Sequence, residues 1–257
     1  MTTSAPASPF DLSGHRAIVT GASRGIGAAM AAALAQAGAD VALVARGDCS
    51  ATVAAVEAHG RRALVIRCDL GQDDAPATVM GAVTKAWGGA DILVNNAGLI
   101  RRAPLLEFTD DAWDEILNVN LRACFRLARR FAAALVAEGK PGKIINVASL
   151  LSFQGGIRVV SYTAAKSGLL GLTRAMANEL APLKINVNAL APGYIATDNT
   201  AALRADPVRH NAILERIPAG RWGEAADLGG ATVFLASSAA NYVHGIVLPV
   251  DGGWLAR

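Results

Sequence analysis

Seven short apolar runs, at residues 16–20, 41–45, 63–67, 92–95, 143–148, 185–190 and 246–250, alternate with stretches of helical character, among them 73–87, 110–137 and 163–180. Parallel strands need crossovers of a dozen or more residues, usually helical. The alternation therefore predicts a doubly wound α/β fold around a seven-stranded parallel sheet. Such a sheet is covered on both faces, which suits a chain that is 53% hydrophobic and 18% charged. With 257 residues and no break in composition, residues 11–257 are expected to form one domain with a core large enough to need no staples. The opening MTTSAPASPF, residues 1–10, lacks a basic and then apolar leader pattern and reads as a loose tail. Thr109 followed by Asp110 and Asp111 is a helix start. The interval 195–220 is long, polar and broken by Pro207 and Pro218, as expected of a lid or substrate loop.

Several function classes are disfavoured by composition. The net charge of +3 is mild, and Arg61-Arg62 and Arg129-Arg130 are too short to form a nucleic-acid stripe. Cys49, Cys68 and Cys124 are odd in number and scattered, which argues against a disulfide framework or zinc site and for a reducing, cytoplasmic compartment. His15, His59, His210 and His244 have no metal-ligand spacing, so no metal is expected. No apolar run approaches the ~18 residues of a membrane span.

The first apolar run leads into Gly21-Ala-Ser23-Arg24-Gly25-Ile26-Gly27 and then an alanine-rich helix, 28–37, ended by Gly38. Strand, glycine turn and helix N-terminus make an anion site: glycines let the backbone approach a pyrophosphate, and the helix dipole favours its charge. Taken alone, such a turn is also a plain tight βα connection. In a doubly wound sheet, ligands bind beyond the carboxyl ends of the strands. Asn95-Asn96-Ala97-Gly98, Ser149 and Pro192-Gly193 all fall on that rim. Tyr162 and Lys166 stand one helical turn apart, on one face. A free phenol, with a pKa of about 10, is a poor proton shuttle at neutral pH, and a neighbouring cation favours its ionised form. A tyrosine so tuned can give a proton to a carbonyl oxygen or take one from an alcohol, which is chemistry that accompanies hydride transfer. No G-x-S-x-G elbow surrounds Ser149, so a hydrolase nucleophile is disfavoured.

Together these motifs, with Asn120, resemble the short-chain dehydrogenase/reductase family from about residue 12 onward, in order and at family spacing. The resemblance implies a Rossmann-type NAD(P)-dependent oxidoreductase that assembles as a homotetramer. It implies Tyr162 as acid/base, Ser149 as hydrogen-bond donor to the reacting oxygen, Lys166 on the nicotinamide ribose, and Asn120 holding a water in a proton relay. It also implies adenine contacts from Asp69 and Leu70, Asn96, Ala97 and Gly98 along the cofactor beside Pro192 and Gly193, and carboxamide contacts from Ile195 and Thr197. No acid ends the second strand, where Val44-Ala45-Arg46-Gly47 precedes Asp48. Arg46, with Arg24 in the glycine turn, could pair with a 2′-phosphate, which favours NADP(H) over NAD(H); solvated surface arginines are the other reading. The second half resembles dehydrogenases of keto-deoxy sugar acids, of the 2-dehydro-3-deoxy-D-gluconate type, in uronate breakdown. Arg101, Arg102, Arg158 or Arg216 could then pair with a substrate carboxylate, with Gln154 and Tyr194 near the sugar hydroxyls. Two alternatives stay open: reduction of another carbonyl, such as a 3-oxoacyl thioester or a polyol product, and a non-catalytic cofactor-sensing regulator. The tail Trp254-Leu255 is a candidate subunit contact.

Overall fold

The computed structural model describes residues 8–257. Strands β1 (Arg16–Thr20), β2 (Asp40–Ala45), β3 (Ala63–Arg67), β4 (Ile92–Asn95), β5 (Gly142–Val147), β6 (Ile185–Pro192) and β7 (Val247–Val250) form one sheet in the order β3-β2-β1-β4-β5-β6-β7. Every pairing is parallel. All seven expected strands are present, their ends displaced by two residues at most. The strand order reverses between β1 and β4, and that switch point opens a crevice beyond the carboxyl ends.

Alternate side chains of each strand serve opposite faces of the sheet. Ala17, Val19 and Leu43 pack with Met30 and Leu34 of helix α1 (Gly25–Gln36), whereas Ile18, Val44 and Leu93 pack with Val79 and Val83 of α3 (Ala75–Trp87). Between them α2 (Ser50–Glu57) joins β2 to β3. The apolar content of the strands thus feeds two cores. A polar chain runs through the same interior: Asn95 Nδ2 donates to Asn146 Oδ1 at 2.9 Å, and Asn146 Nδ2 donates to Thr173 Oγ1 at 2.9 Å. It ties β4 and β5 to α6 (Val160–Leu180), the helix that carries Tyr162 and Lys166.

The stretch 110–137 is not uniform helix. Thr109 caps α4 (Asp110–Leu117) by accepting from the Ala112 N–H, a π-helical turn occupies Asn118–Arg122, and α5 (Ala123–Ala137) continues it. The extra residue of the turn is visible in the Ala123 N–H, which reaches back to the Asn118 carbonyl. Residues 1–7 of the expected tail lie outside the described residues, but the chain is already tied at Pro9, whose carbonyl accepts from Ser238 Oγ at 3.0 Å and from the Ala239 N–H at 3.1 Å. The interval 195–220 holds two short helices, α7 (Ala201–Ala205) and α8 (Pro207–Leu214), the second begun by Asp206, whose carboxylate accepts from the Val208 and Arg209 N–H groups. Ile213 and Ile217 anchor this segment on Leu150 and Trp254. Trp254, expected at a subunit contact, is therefore buried within its own chain. The chain returns through α9 (Gly229–Ala236) to β7. Among the described residues, no helix is long and apolar enough to cross a membrane.

Candidate active site

A cavity of about 1240 Å³ runs along the carboxyl ends of the strands, from Arg46 and Gly25 to Ser149, Tyr162 and Tyr194. Its first end is built from backbone. Gly21 (φ 66°) and Gly25 (φ 58°) turn the chain in the left-handed region after β1. Packing fixes Gly27: a Cβ there would lie 2.2 Å from the Gly21 carbonyl oxygen and 2.5 Å from Asn96 Nδ2. Asn96 braces the turn rather than the crevice, donating from Nδ2 to the carbonyls of Thr20 at 2.8 Å and Gly21 at 3.3 Å. Thr20, buried beneath, accepts at Oγ1 from the Asn96 and Ala97 N–H groups at 2.9 and 3.0 Å. Helix α1 has no side-chain cap and no acid in its first turn. Its leading N–H groups have no acceptor within the helix, and Gly25, Ile26 and Gly27 line the cavity. This end of the cavity fits a pyrophosphate.

The adenosine-side candidates stand beside Arg46, at the same end. Asp69 Oδ1 accepts from the Gly71 N–H at 3.0 Å, and its other oxygen faces Arg46 at 3.6 Å. Leu70 lines the wall beside them. Asp48, the first acid after β2, spends Oδ1 on the hydroxyl of Ser50 at 2.7 Å, at the start of α2.

At the far end Lys166 is buried, with Nζ donating to the Val147 carbonyl at 2.7 Å and lying 5.6 Å from the centre of the Tyr162 ring. The Ser152 hydroxyl donates to the Lys166 carbonyl at 2.7 Å, pinning the helix to the loop after β5. Ser149 Oγ accepts from the Leu151 N–H at 3.2 Å, which leaves its own hydrogen for a ligand. Asn120 sits in the π-helical turn. Its amide is fully buried and committed to backbone, with Oδ1 accepting from the Leu99 N–H at 3.1 Å and Nδ2 donating to the carbonyls of Leu99 and Ile116, both at 2.9 Å. The side chain therefore does not face the cavity; it clamps the π turn to the loop that follows Gly98.

Of the expected substrate residues, Arg102, Arg158 and Tyr194 line the cavity. Arg101 does not: it makes a two-pronged contact with Glu115 at 2.9 and 3.1 Å. Gln154 is also turned away, accepting from Trp254 Nε1 at 3.4 Å and from Arg216 at 3.5 Å, and Arg216 itself stacks 4.0 Å from the Trp254 ring. Ile195, Thr197, Pro192 and Gly193 lie where expected, on the rim. Asp198, Asp206 and Arg209 also line the cavity and were missed, because the fold of the lid is not written in an apolar periodicity. The segment 195–220 is pinned near its start. Asp198 pairs with Arg24 at 3.3 Å and the Asn199 carbonyl accepts from Arg102 at 3.1 Å, so its first turn bridges the glycine turn and the loop after β4.

An elongated crevice with an uncapped helix N-terminus at one end and a phenol beside a buried lysine at the other defines a nicotinamide-dependent oxidoreductase. The chain belongs to the short-chain dehydrogenase/reductase family; residues 21–255 match the family model described as enoyl-(acyl carrier protein) reductase. It is 53% identical to the 2-dehydro-3-deoxy-D-gluconate 5-dehydrogenase of Escherichia coli (strain K12), over 97% of this chain and 99% of that one. Among solved structures it is similar to an Agrobacterium tumefaciens protein assigned as a 2-deoxy-D-gluconate 3-dehydrogenase and solved with bound NADP, at 55% identity and a TM-score of 0.92, covering 98% of this chain and 100% of that one. A gluconate 5-dehydrogenase from Burkholderia cenocepacia, solved with NADP and tartrate, is 37% identical at a TM-score of 0.92, covering 97% and 98%.

Proposed function

We propose that this enzyme moves a hydride between NADP(H) and a keto or hydroxyl group of a deoxy sugar acid of the 2-dehydro-3-deoxy-D-gluconate type, as a step of uronate breakdown. The chemistry rests on one observation: Lys166 is buried in the cavity wall, bonded to the Val147 carbonyl and beside the Tyr162 ring. The substrate class rests on the relatives, whose similarity spans nearly the whole chain.

In this reading a bound nicotinamide supplies or accepts the hydride. Tyr162 gives the substrate oxygen its proton in reduction and takes it in oxidation. Ser149 donates the second hydrogen bond, so two donors meet the oxygen as charge develops on it. Lys166 spends one hydrogen on Val147 and keeps two for the ribose hydroxyls and the phenolic side, where its charge steadies the proton transfer. Asn120 acts through its clamp: a Cβ on Gly98 would lie 2.5 Å from Asn120 Oδ1 and 3.8 Å from Lys166 Nζ, so it sets the wall against which the lysine packs. A relay water would have to use the Asn120 backbone carbonyl, since the amide is spent. The preference for NADP(H) rests on Arg46 at the end of β2 and on Asp48 being engaged by Ser50.

Tyr162→Phe is expected to bind NADPH within about twofold of wild type and to lose at least a thousandfold in kcat, near the upper range for removing an acid/base group. Turnover within tenfold of wild type would overturn the assignment. The companion assay offers both cofactors with keto-deoxy sugar acids, polyols and 3-oxoacyl thioesters. Preference for the thioester would favour the rival reading, and binding of cofactor with no turnover of any of them would favour a cofactor sensor.

A further inference from the structure

Five arginines line the cavity, and they are not equivalent. Arg24 is paired with Asp198, Arg46 faces Asp69, and Arg102 donates to the Asn199 carbonyl. Arg158 and Arg209 have no side-chain hydrogen bond or ion pair among the described residues. Both are exposed, and a guanidinium with no protein acceptor at the wall of a cleft can hold a planar anion with two parallel hydrogen bonds.

We propose that Arg209, on helix α8, is the specificity residue that captures the substrate carboxylate. The proposal rests on the sugar-acid reading above and names the side chain that enforces it. Three observations favour Arg209. First, its backbone is fixed: the Asp206 carboxylate accepts from the Val208 and Arg209 N–H groups at 3.0 and 3.2 Å, so that acid is occupied in starting the helix and the guanidinium is left over. Second, Arg209 lies within electrostatic reach of the phenol of Tyr194, which is on the same cavity wall. Third, the lid is held at its first turn by Arg24 and Arg102, whereas the only polar contact of the Arg209 side chain must come from whatever enters the cavity. A carboxylate held there adds a tie at α8 to the two that already hold Asp198 and Asn199.

Arg158 is the natural second prong. It stands across the cavity lining in the loop ahead of α6, at φ 65°, in the left-handed region that a residue with a Cβ rarely adopts. Its carbonyl accepts from the Ala103 N–H at 3.1 Å, which fixes the strained loop against the segment after β4. A neutral substrate gains nothing from either cation.

The test is the selectivity of the whole enzyme between a keto-deoxy sugar acid and its primary amide, which keeps the hydroxyls and the carbonyl but removes the charge. In Arg209→Met, kcat/KM for the acid is expected to fall at least thirtyfold, mostly through KM, and the ratio of acid to amide is expected to fall at least tenfold. Arg209→Lys should restore part of that ratio, and NADPH affinity should stay within twofold in both. Arg216→Met, a lid arginine stacked on Trp254 away from the cavity, serves as control for lid damage and should keep the wild-type ratio. The proposal is overturned if Arg209→Met keeps the ratio, if it loses acid and amide turnover equally, or if Arg158→Met alone carries the loss. Wild-type enzyme that oxidises or reduces no sugar acid at all overturns the functional reading itself, and this proposal with it.

Discussion

Arg46 ends β2 with its guanidinium exposed and 3.6 Å from Asp69, a loose contact that a stronger anion can replace. A phosphate carries more charge than that carboxylate and accepts from both arms of a guanidinium, so a 2′-phosphate is the better partner. Arg46→Ala is expected to raise KM for NADPH about tenfold, a loss of about 1.4 kcal/mol, and to leave KM for NADH within twofold. Steady-state kinetics with both cofactors measure it, and an unchanged preference ratio would remove Arg46 from the assignment. Single residues whose chemistry is local were the most legible part of the site. The glycines, Ser149, Tyr162 and Lys166 are fixed by spacing from a strand end or along one helix face, and they line the cavity together. The residues that escaped act through partners far away in sequence. Thr20 reaches the loop after β4, the Asn120 amide serves backbone and not water, and Arg101 turns to Glu115. No spacing rule carries the identity of such a partner.

At the level of elements, the lid depends on how its return to α9 is fastened. Arg221 makes a two-pronged contact with Asp227 at 2.7 and 2.9 Å, and the same carboxylate accepts from the Glu224 N–H at 2.8 Å. The Arg221 hydrogen bonds, followed by that of Glu224, hold the Asp227 carboxyl down to about 2, below the ordinary aspartate value of 3.8. A carboxyl with a lowered value in the folded state adds stability that is fully present above 3.8 and is lost as pH falls through about 2. The pair is partly exposed, so solvent screening reduces its worth to about 1 kcal/mol. Asp227→Asn is therefore expected to lower Tm by about 2–4 °C at pH 7. The gap to wild type should close as the pH is taken from 4 towards 2, as read by thermal unfolding. A gap that persists unchanged at the acid end would mean that the carboxylate charge is not what fastens the loop. The strands were legible because a buried parallel strand must be apolar on both faces. The π turn and the lid helices were not. The first is one residue inserted in an amphipathic stretch, and the second are short helices started by Asp206 and Pro207 whose burial depends on Trp254 at the other end of the chain.

Across the whole molecule, the two ends of the reaction cavity are held by different means. The glycine-turn end is backbone packed on backbone around Gly21 and Gly27, whereas the end with Tyr162 and Lys166 rides on α6, which must keep its place over β5. Apolar packing between a helix and a sheet tolerates sliding, since it has no direction. The Asn95–Asn146–Thr173 chain supplies direction, because each of its hydrogen bonds is met only when donor and acceptor are in register. All three side chains are almost wholly buried, so none can exchange its partner for water. Asn146→Ala removes the middle link, leaving the Asn95 amide and the Thr173 hydroxyl each short of a partner beside a small void. Thr173 Oγ1 keeps its bond to the Leu169 carbonyl, so the expected cost is about 2–4 kcal/mol, from one lost hydrogen bond on each side of the gap and the lost volume. Urea unfolding should show a lower midpoint with an unchanged slope. Activity separates a stability role from a positioning role. If the chain fixes the seat of α6, kcat of the folded variant should fall at least tenfold while NADPH affinity stays within twofold, because the glycine turn lies on the other side of the switch point. A variant that loses stability yet keeps wild-type kcat under native conditions would show that packing alone seats Tyr162 and Lys166, and that the buried amides serve only the sheet.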